Sequence, residues 1–354
     1  MAESENIVAE TAERIFADLA DAQTINRDNT GAWKAPLWQA LTEAGLPLSW
    51  VSEDCGGSGA SLAEGFSVLS AAGRFAIAVP LTETMLAGWL LAQAKIASPP
   101  GAMTVAPASP KDRIALNADG TLSGRARRVP FAKDARHIAV LAHGAGGLSI
   151  ALVETDRCRI EPGLNLAGDG SDTATFDNVE PLAFQPAPKG FDQNALMLMG
   201  GVARSLQIAG SLESMLDISV RYANERVAFE KKISKFQAVQ HNLAKLAGES
   251  AAALAAGTSA ADAIANSRSF GDEVFLEAVA AKVRCSEAAE KGAAIAHQVH
   301  GAIGFTIEHI LHRYTLRALA WRDDFGSESY WAVELGKLVA ARGADELWPL
   351  VASR

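Results

Sequence analysis

RVAFEKKISKFQAVQHNLAKLAGES, residues 226–250, decides how the chain is read. An Arg-x-x-Phe opens it, lysines crowd its middle, and Phe236-Gln237 leads into apolar residues at helical spacing, Val239, Leu243 and Leu246. The polar Gln237 at a loop-to-helix junction raises the question of what it meets.

Outward from this stretch, the apolar spacing of Ile208, Leu212 and Met215 predicts a further helix upstream. Downstream, AAALAAGTSAADAIANS is helix-forming, with Gly257 expected to break it into two helices. A Pro/Gly-bearing linker, FQPAPKGFDQ, precedes this region. Before the linker the texture changes: HIAVLAH, GLSIALVE and TATFDNVE are β-rich and separated by DG, GAGG and GDGSD turns. They predict a small antiparallel barrel or sandwich.

Residues 1–98 again carry helical periodicity, in Ile7, Val8, Ala12, Ile15 and Leu19, then Trp38, Leu41 and Leu46. GLPLSWVSEDCGGSGASLAEG reads as a loop between helices, with Ser61 capping a helix that opens at Leu62 and Glu64 three positions after the cap. The expected organisation is α+β and multidomain: an N-terminal helical domain (1–98), a small antiparallel β-barrel domain (99–188) and a C-terminal four-helix bundle (189–354).

The 354 residues, 49% of them hydrophobic, suffice for a large core, and a net charge of -9 argues against a nucleic-acid partner. Cys55, Cys158 and Cys285 are widely spaced and odd in number, which points to a reducing, cytoplasmic setting. The acidic N-terminus lacks the basic start and apolar run of a signal peptide, and no apolar run long enough for a membrane span is expected.

Four stretches could carry chemistry. GGSGAS (56–61) lacks the ending of a phosphate loop and reads as a glycine-rich turn. In QVHGAIGF (298–305) a helix bearing Gln298 and His300 stops at Gly301, with Gly304 within one turn, and small residues there permit close backbone approach. His297, His300, His309 and His312 have HxxH spacing but no cysteine to complete a zinc set, so no metal is expected. RDDFGSESYW (322–331) concentrates Asp323, Asp324 and Glu328 and reads either as a general base or as a solvated acidic turn paired with Arg322.

Taken together, the helix–β–helix order, RVAF…KFQAVQHNLA and QVHGAIGFTIEH resemble the acyl-CoA dehydrogenase family over nearly the whole chain. The family's Arg-x-x-Phe-Gly, Phe-Gln and Gln-x-x-Gly-Gly-x-Gly motifs fall on Arg226/Phe229, Phe236/Gln237 and Gln298/Gly301/Gly304, with Glu230 where glycine is usual. The loop before Leu62 and GRFAIAVPLTETMLAG are similar to N-terminal family segments. The resemblance implies an FAD whose pyrophosphate and ADP part meets Arg226, Gln237, Gln298 and Gly301 from a neighbouring subunit. It implies an acyl-CoA substrate, α,β-dehydrogenation with a carboxylate base, and electron-transfer flavoprotein as acceptor.

The family's two base positions fall here on Phe325 and at or near Gly200, neither of which can accept a proton. TVAPASPKDR and VPFAKDARHIAVLA also lack the loop and the tryptophan that the family places beside the flavin ring. This pattern resembles the non-catalytic subunit of the heteromeric α2β2 enzymes of bacterial steroid-CoA side-chain degradation. The alternatives are a self-sufficient homo-oligomer using Asp323 or Asp324 as base, and a flavin-free scaffold of the same fold.

Overall fold

The computed structural model of the protein describes residues 6–352 apart from positions 29 and 268. Helices come first: α1 (Ile7–Leu19), α2 (Ala22–Arg27), α3 (Lys34–Glu43), α4 (Leu62–Arg74) and α5 (Leu81–Gln93). The start of α4 is the expected one. Glu64 N–H donates to Ser61 Oγ at 3.2 Å while Ser61 N–H donates to the Glu64 carboxylate at 2.8 Å, a reciprocal cap that satisfies two orphan donors.

Eight strands follow: β1 (Met103–Ala106), β2 (Ile114–Leu116), β3 (Leu122–Pro130), β4 (His137–Gly144), β5 (Gly147–Glu154), β6 (Arg159–Glu161), β7 (Ser171–Val179) and β8 (Ala183–Pro186). Their hydrogen-bonded order is β6-β7-β3-β2-β4-β5-β8, with β1 also on β4. Most ladders are antiparallel, but β1 and β2 both run parallel to β4, and the path ends at β6 and β8 without closing. The expected small antiparallel β domain is met in most of its ladders, and β1 and β2 depart from it because the long returns that separate them from β4 let both lie parallel to that strand.

The chain then enters α6 (Gln193–Glu225), a hairpin of β9 (Val227–Ala228) and β10 (Lys231–Lys232), and helices α7 (Gln237–Asn266), α8 (Asp272–His300), α9 (Leu311–Trp321), α10 (Glu328–Arg342) and α11 (Leu347–Ala352). Helix α6 is the central member, packed on α4, α7, α8 and α9. Its best window reaches a mean hydropathy of 1.2, enough by length and composition to cross a membrane, which corrects the expectation that no such run exists. That window is 100% buried inside the protein, as befits a helix surrounded by other helices.

The expected break at Gly257 is also corrected, since α7 runs through it. A Cβ there would stand 3.2 Å from Leu206 Cδ2, so the missing side chain serves the contact between α7 and α6. Closer still, a Cβ on Gly73 would meet Gln207 O at 2.1 Å and one on Gly210 would meet Ser70 O at 2.2 Å, so α4 and α6 cross with their backbones nearly touching. One hydrophobic cluster joins residues of α1, α4 and α5 to the sheet and to α6, α7 and α8, so the core is shared across the three regions.

Candidate functional site

Two places gather the residues singled out above. The first is one end of the helical bundle, where α6 ends, α7 begins and α8 ends. Arg226 terminates α6, Phe236 precedes α7, Gln237 is its first residue, and Gly301 ends α8 with φ 66°. Tyr222 on the last turns of α6 ties the end of α8 to this cluster: its ring stacks on His300 at 4.4 Å, and its hydroxyl donates to His300 O at 3.3 Å.

Arg226, Gln237 and Gln298 are exposed, and among the described residues none of their side chains has a partner within the chain. A Cβ on Gly301 would meet nothing within 4 Å, so the backbone there is open to approach. Gly304 differs. It is buried, and a Cβ would stand 2.9 Å from that of His300, so its smallness serves packing of the turn. The tip of the β9–β10 hairpin carries Phe229, 89% exposed, whose ring meets Phe236 edge-on at 6.3 Å, while Lys231 stands over the Phe236 ring at 4.5 Å.

The histidines are partnered locally. His297 Nε2 lies 3.1 Å from the Thr315 hydroxyl and stacks on Phe305, His300 Nδ1 lies 2.8 Å from Ala296 O, and His312 Nδ1 lies 2.7 Å from His309 O. Burial pushes His297, His300 and His309 below the usual histidine range.

The second place lies between α5, α6, the sheet and the turn after α9. Here Phe325 and Gly200, 125 positions apart in the chain, are in direct contact: a Cβ on Gly200 would stand 2.4 Å from Phe325 Cγ. Phe325 is fully buried at φ 55°, a left-handed conformation that a bulky side chain adopts only when packing holds it. Gly326 follows at φ 101°, and Trp331 Nε1 donates to Phe325 O at 3.0 Å, pinning the turn.

Beside this ring lies a charged cluster that sequence reasoning did not single out. Arg204 on α6, buried, donates to Glu83 on α5 at 2.5 Å, to Asp324 at 2.9 Å and to Gln207 at 2.6 Å. Burial pushes the Glu83 carboxyl up against the pull of Arg204. Burial opposes the Arg204 charge as well, but Glu83 and Asp324 outweigh it and hold the guanidinium above its ordinary value. The buried Lys282 on α8 donates to Trp321 O at 2.8 Å, and desolvation brings it down to about 8. The only hint in the sequence is the single charge inside each of two apolar helical runs, Glu83 in LTETMLAGWLLA and Arg204 in ALMLMGGVARSLQIAGSL.

Asp324 is therefore neither free nor solvated. Asp323 is exposed, and Arg322 pairs with Glu290 at 3.1 Å and with Glu328 at 3.9 Å, so the expected pairing of Arg322 with the acidic turn is made through Glu328 and not through the two aspartates. The cavity bounded by Thr82, Glu83, Pro130, Arg204, Trp321 and Asp324 is about 10 Å³, room for a single water molecule at most.

Comparison with known proteins adds the following. Residues 190–328 match the family described as the acyl-CoA dehydrogenase C-terminal domain. The chain is 29% identical over 283 residues to acyl-CoA dehydrogenase IpdE2 of Mycobacterium tuberculosis, covering 80% of each protein. Among solved structures, the ChsE4-ChsE5 complex of Mycobacterium tuberculosis superposes with a TM-score of 0.85 at 22% identity, covering 97% of this chain and 99% of that one. The Tcur3481-Tcur3483 steroid ACAD superposes with a TM-score of 0.82 at 25% identity, covering 95% and 97%.

Proposed function

Because the chain belongs to the acyl-CoA dehydrogenase family, we propose that it serves as the subunit of a heteromeric dehydrogenase that completes a partner's FAD site without abstracting the substrate proton itself. The observation that carries this reading is the contact of Phe325 with Gly200: both positions where the family resemblance puts the base converge on one spot, and an aromatic ring fills it.

The two halves of an FAD site fare differently against this chain. The ADP half fits. Arg226 offers a forked, charged donor suited to a phosphate, Gln237 and Gln298 can each donate and accept, and the open backbone at Gly301 permits close approach. All four face outward, as residues reaching a cofactor in another subunit would. The ring half fits poorly: TVAPASPKDR and VPFAKDARHIAVLA lack the loop and the tryptophan that the family resemblance places beside the ring, and the cavity between the sheet, α5 and α6 holds only about 10 Å³ beside an ion-paired cluster.

In such an assembly FAD supplies the hydride acceptor, and the partner supplies the base, the acyl-CoA pocket and the contact with electron-transfer flavoprotein. This chain binds and orients the ADP end. The steroid ACAD among its structural relatives favours a steroid acyl-CoA thioester as the partner's substrate. Asp324 is a poor alternative base, since its charge is shared with Arg204.

The test is flavin absorbance and native mass of the chain purified alone and after co-expression with a second acyl-CoA dehydrogenase-like subunit. FAD is expected only in the mixed oligomer, and Arg226→Gln should lower its retention there without loss of assembly. A flavin-loaded oligomer of this chain alone that oxidises an acyl-CoA overturns the reading.

A further inference from the structure

Helix α9 forms another charged cluster with the loop between β6 and β7. Arg313, Tyr314 and Arg317 fall within an arc of about 100° on the helix, and Arg317 Nη2 donates to Asp169 Oδ1 at 2.8 Å. Asp169 is itself set by its loop, its backbone N–H donating to Asn165 Oδ1 at 3.1 Å and its carbonyl accepting from Asn165 N–H at 2.9 Å. Arg317 is thereby held in place, 6% exposed.

The donors of this cluster outnumber its acceptors. Arg317 Nε and both Nε and Nη2 of Arg313 are buried without a hydrogen-bond partner among the described residues. Arg317 Nη1 reaches only Arg313 O, at 3.3 Å. Two guanidiniums thus share one carboxylate, which leaves a surplus positive charge. Burial, with repulsion from Arg317, brings Arg313 down to about 10, so it stays charged at neutral pH and the surplus is not shed by deprotonation.

The other charges around Tyr314 are Asp21 and Arg221. Asp21 already accepts from the Thr24 backbone and hydroxyl at the start of α2, and Arg221 adds a further positive charge. Buried polar groups are nearly always satisfied, and an unpaired buried cation is costly. Three unmatched guanidinium nitrogens on one helix face suit an acceptor with several anionic oxygens.

We propose that Arg313 and Arg317, with Tyr314 between them, form a binding site for a phosphate-type oxyanion under the β6–β7 loop. Arg317 is the preset half of the site, held by Asp169. Arg313 is half-buried with its unpartnered Nε and Nη2 inside, so the partly exposed side chain is the half that turns aside to admit a ligand. The phosphoryl group can come from free phosphate or from a nucleotide, and the two are separable by experiment.

The test is thermal unfolding and titration calorimetry of the full chain with inorganic phosphate or ADP, against sodium chloride at matched ionic strength. A saturable rise in Tm with phosphate is expected, together with at least a tenfold loss of affinity in Arg313→Gln. That variant removes the unpaired cation and should fold at least as well as the parent without ligand, which separates lost binding from lost folding. Equal affinity for both ligands identifies free phosphate as the source, and at least tenfold tighter binding of ADP, also lost in Arg313→Gln, identifies a nucleotide. No saturable binding of either, or binding unchanged in Arg313→Gln, overturns the proposal.

Discussion

At the scale of single residues, the central fact is a ring lying on a bare backbone. Gly200→Ala would place a methyl 2.4 Å from Phe325 Cγ, and overpacking of that kind costs about 1–3 kcal/mol, to be read as a lower urea midpoint at unchanged m. Arg204 is the other decisive residue. Arg204→Met removes the guanidinium from which both Glu83 and Asp324 accept, so destabilisation by about 3–5 kcal/mol is expected in the same measurement. Adding Glu83→Gln and Asp324→Asn should recover much of that loss; no recovery would show that Arg204 acts by packing on Trp321 and Phe325 instead. That neither Phe325 nor Gly200 can take a proton was legible from the residue types. Their contact was not, because nothing in linear spacing says that the turn after α9 folds back onto the middle of α6.

Elements show the same division between local and distant causes. The Ser61/Glu64 cap was readable because all its donors and acceptors lie within four residues. The continuity of α7 was not, because glycine lowers helix propensity by only about 1 kcal/mol and a contact with Leu206 on another helix outweighs it. The β9–β10 hairpin gives a prediction at this scale. Its two turn residues, Phe229 at φ 51° and Glu230 at φ 65°, both take the left-handed conformation that a two-residue hairpin of this kind needs and that glycine adopts most readily. Glu230→Gly should stabilise the protein by about 0.5–1 kcal/mol, seen as a Tm rise of about 1–2 °C. A fall in Tm would mean that the Glu230 side chain contributes something that the backbone strain conceals.

For the whole molecule, the charged groups at the junction of α5, α6, α8 and the turn after α9 tie its stability to pH. Lys282 binds its proton less tightly folded, at about 8, than at its ordinary 10.5, so the unfolded chain carries more protons between those values. Stability contributed by this group therefore rises as pH rises from about 8 to 10.5, by a few kcal/mol at ~1.4 kcal/mol per pH unit. The measurement is the difference in unfolding free energy between the parent and Lys282→Met across that range: the parent should gain on the variant as pH rises, and a constant difference would show that Lys282 is not desolvated. Glu83 works in the other direction at low pH. Its folded carboxyl is raised above 4.5, so its contribution falls as pH rises through the window above that value.

What the sequence determined by itself was everything that depends on neighbours along the chain: the helix–β–helix order from its periodicities, the cap at Ser61, the Arg226, Gln237 and Gln298 motifs, and the lack of a carboxylate at the positions now held by Phe325 and Gly200. Tertiary structure alone decided which of these meet. It put Arg226, Gln237 and Gly301 at one end of the bundle, laid Phe325 over Gly200, and gathered Glu83, Arg204, Asp324 and Lys282 from separate elements into one buried cluster. The physical reason is that periodicity reports only which face of an element is buried. Which groups share that interior, and whether each buried charge finds a counter-charge, depends on how faces far apart in the chain pack together.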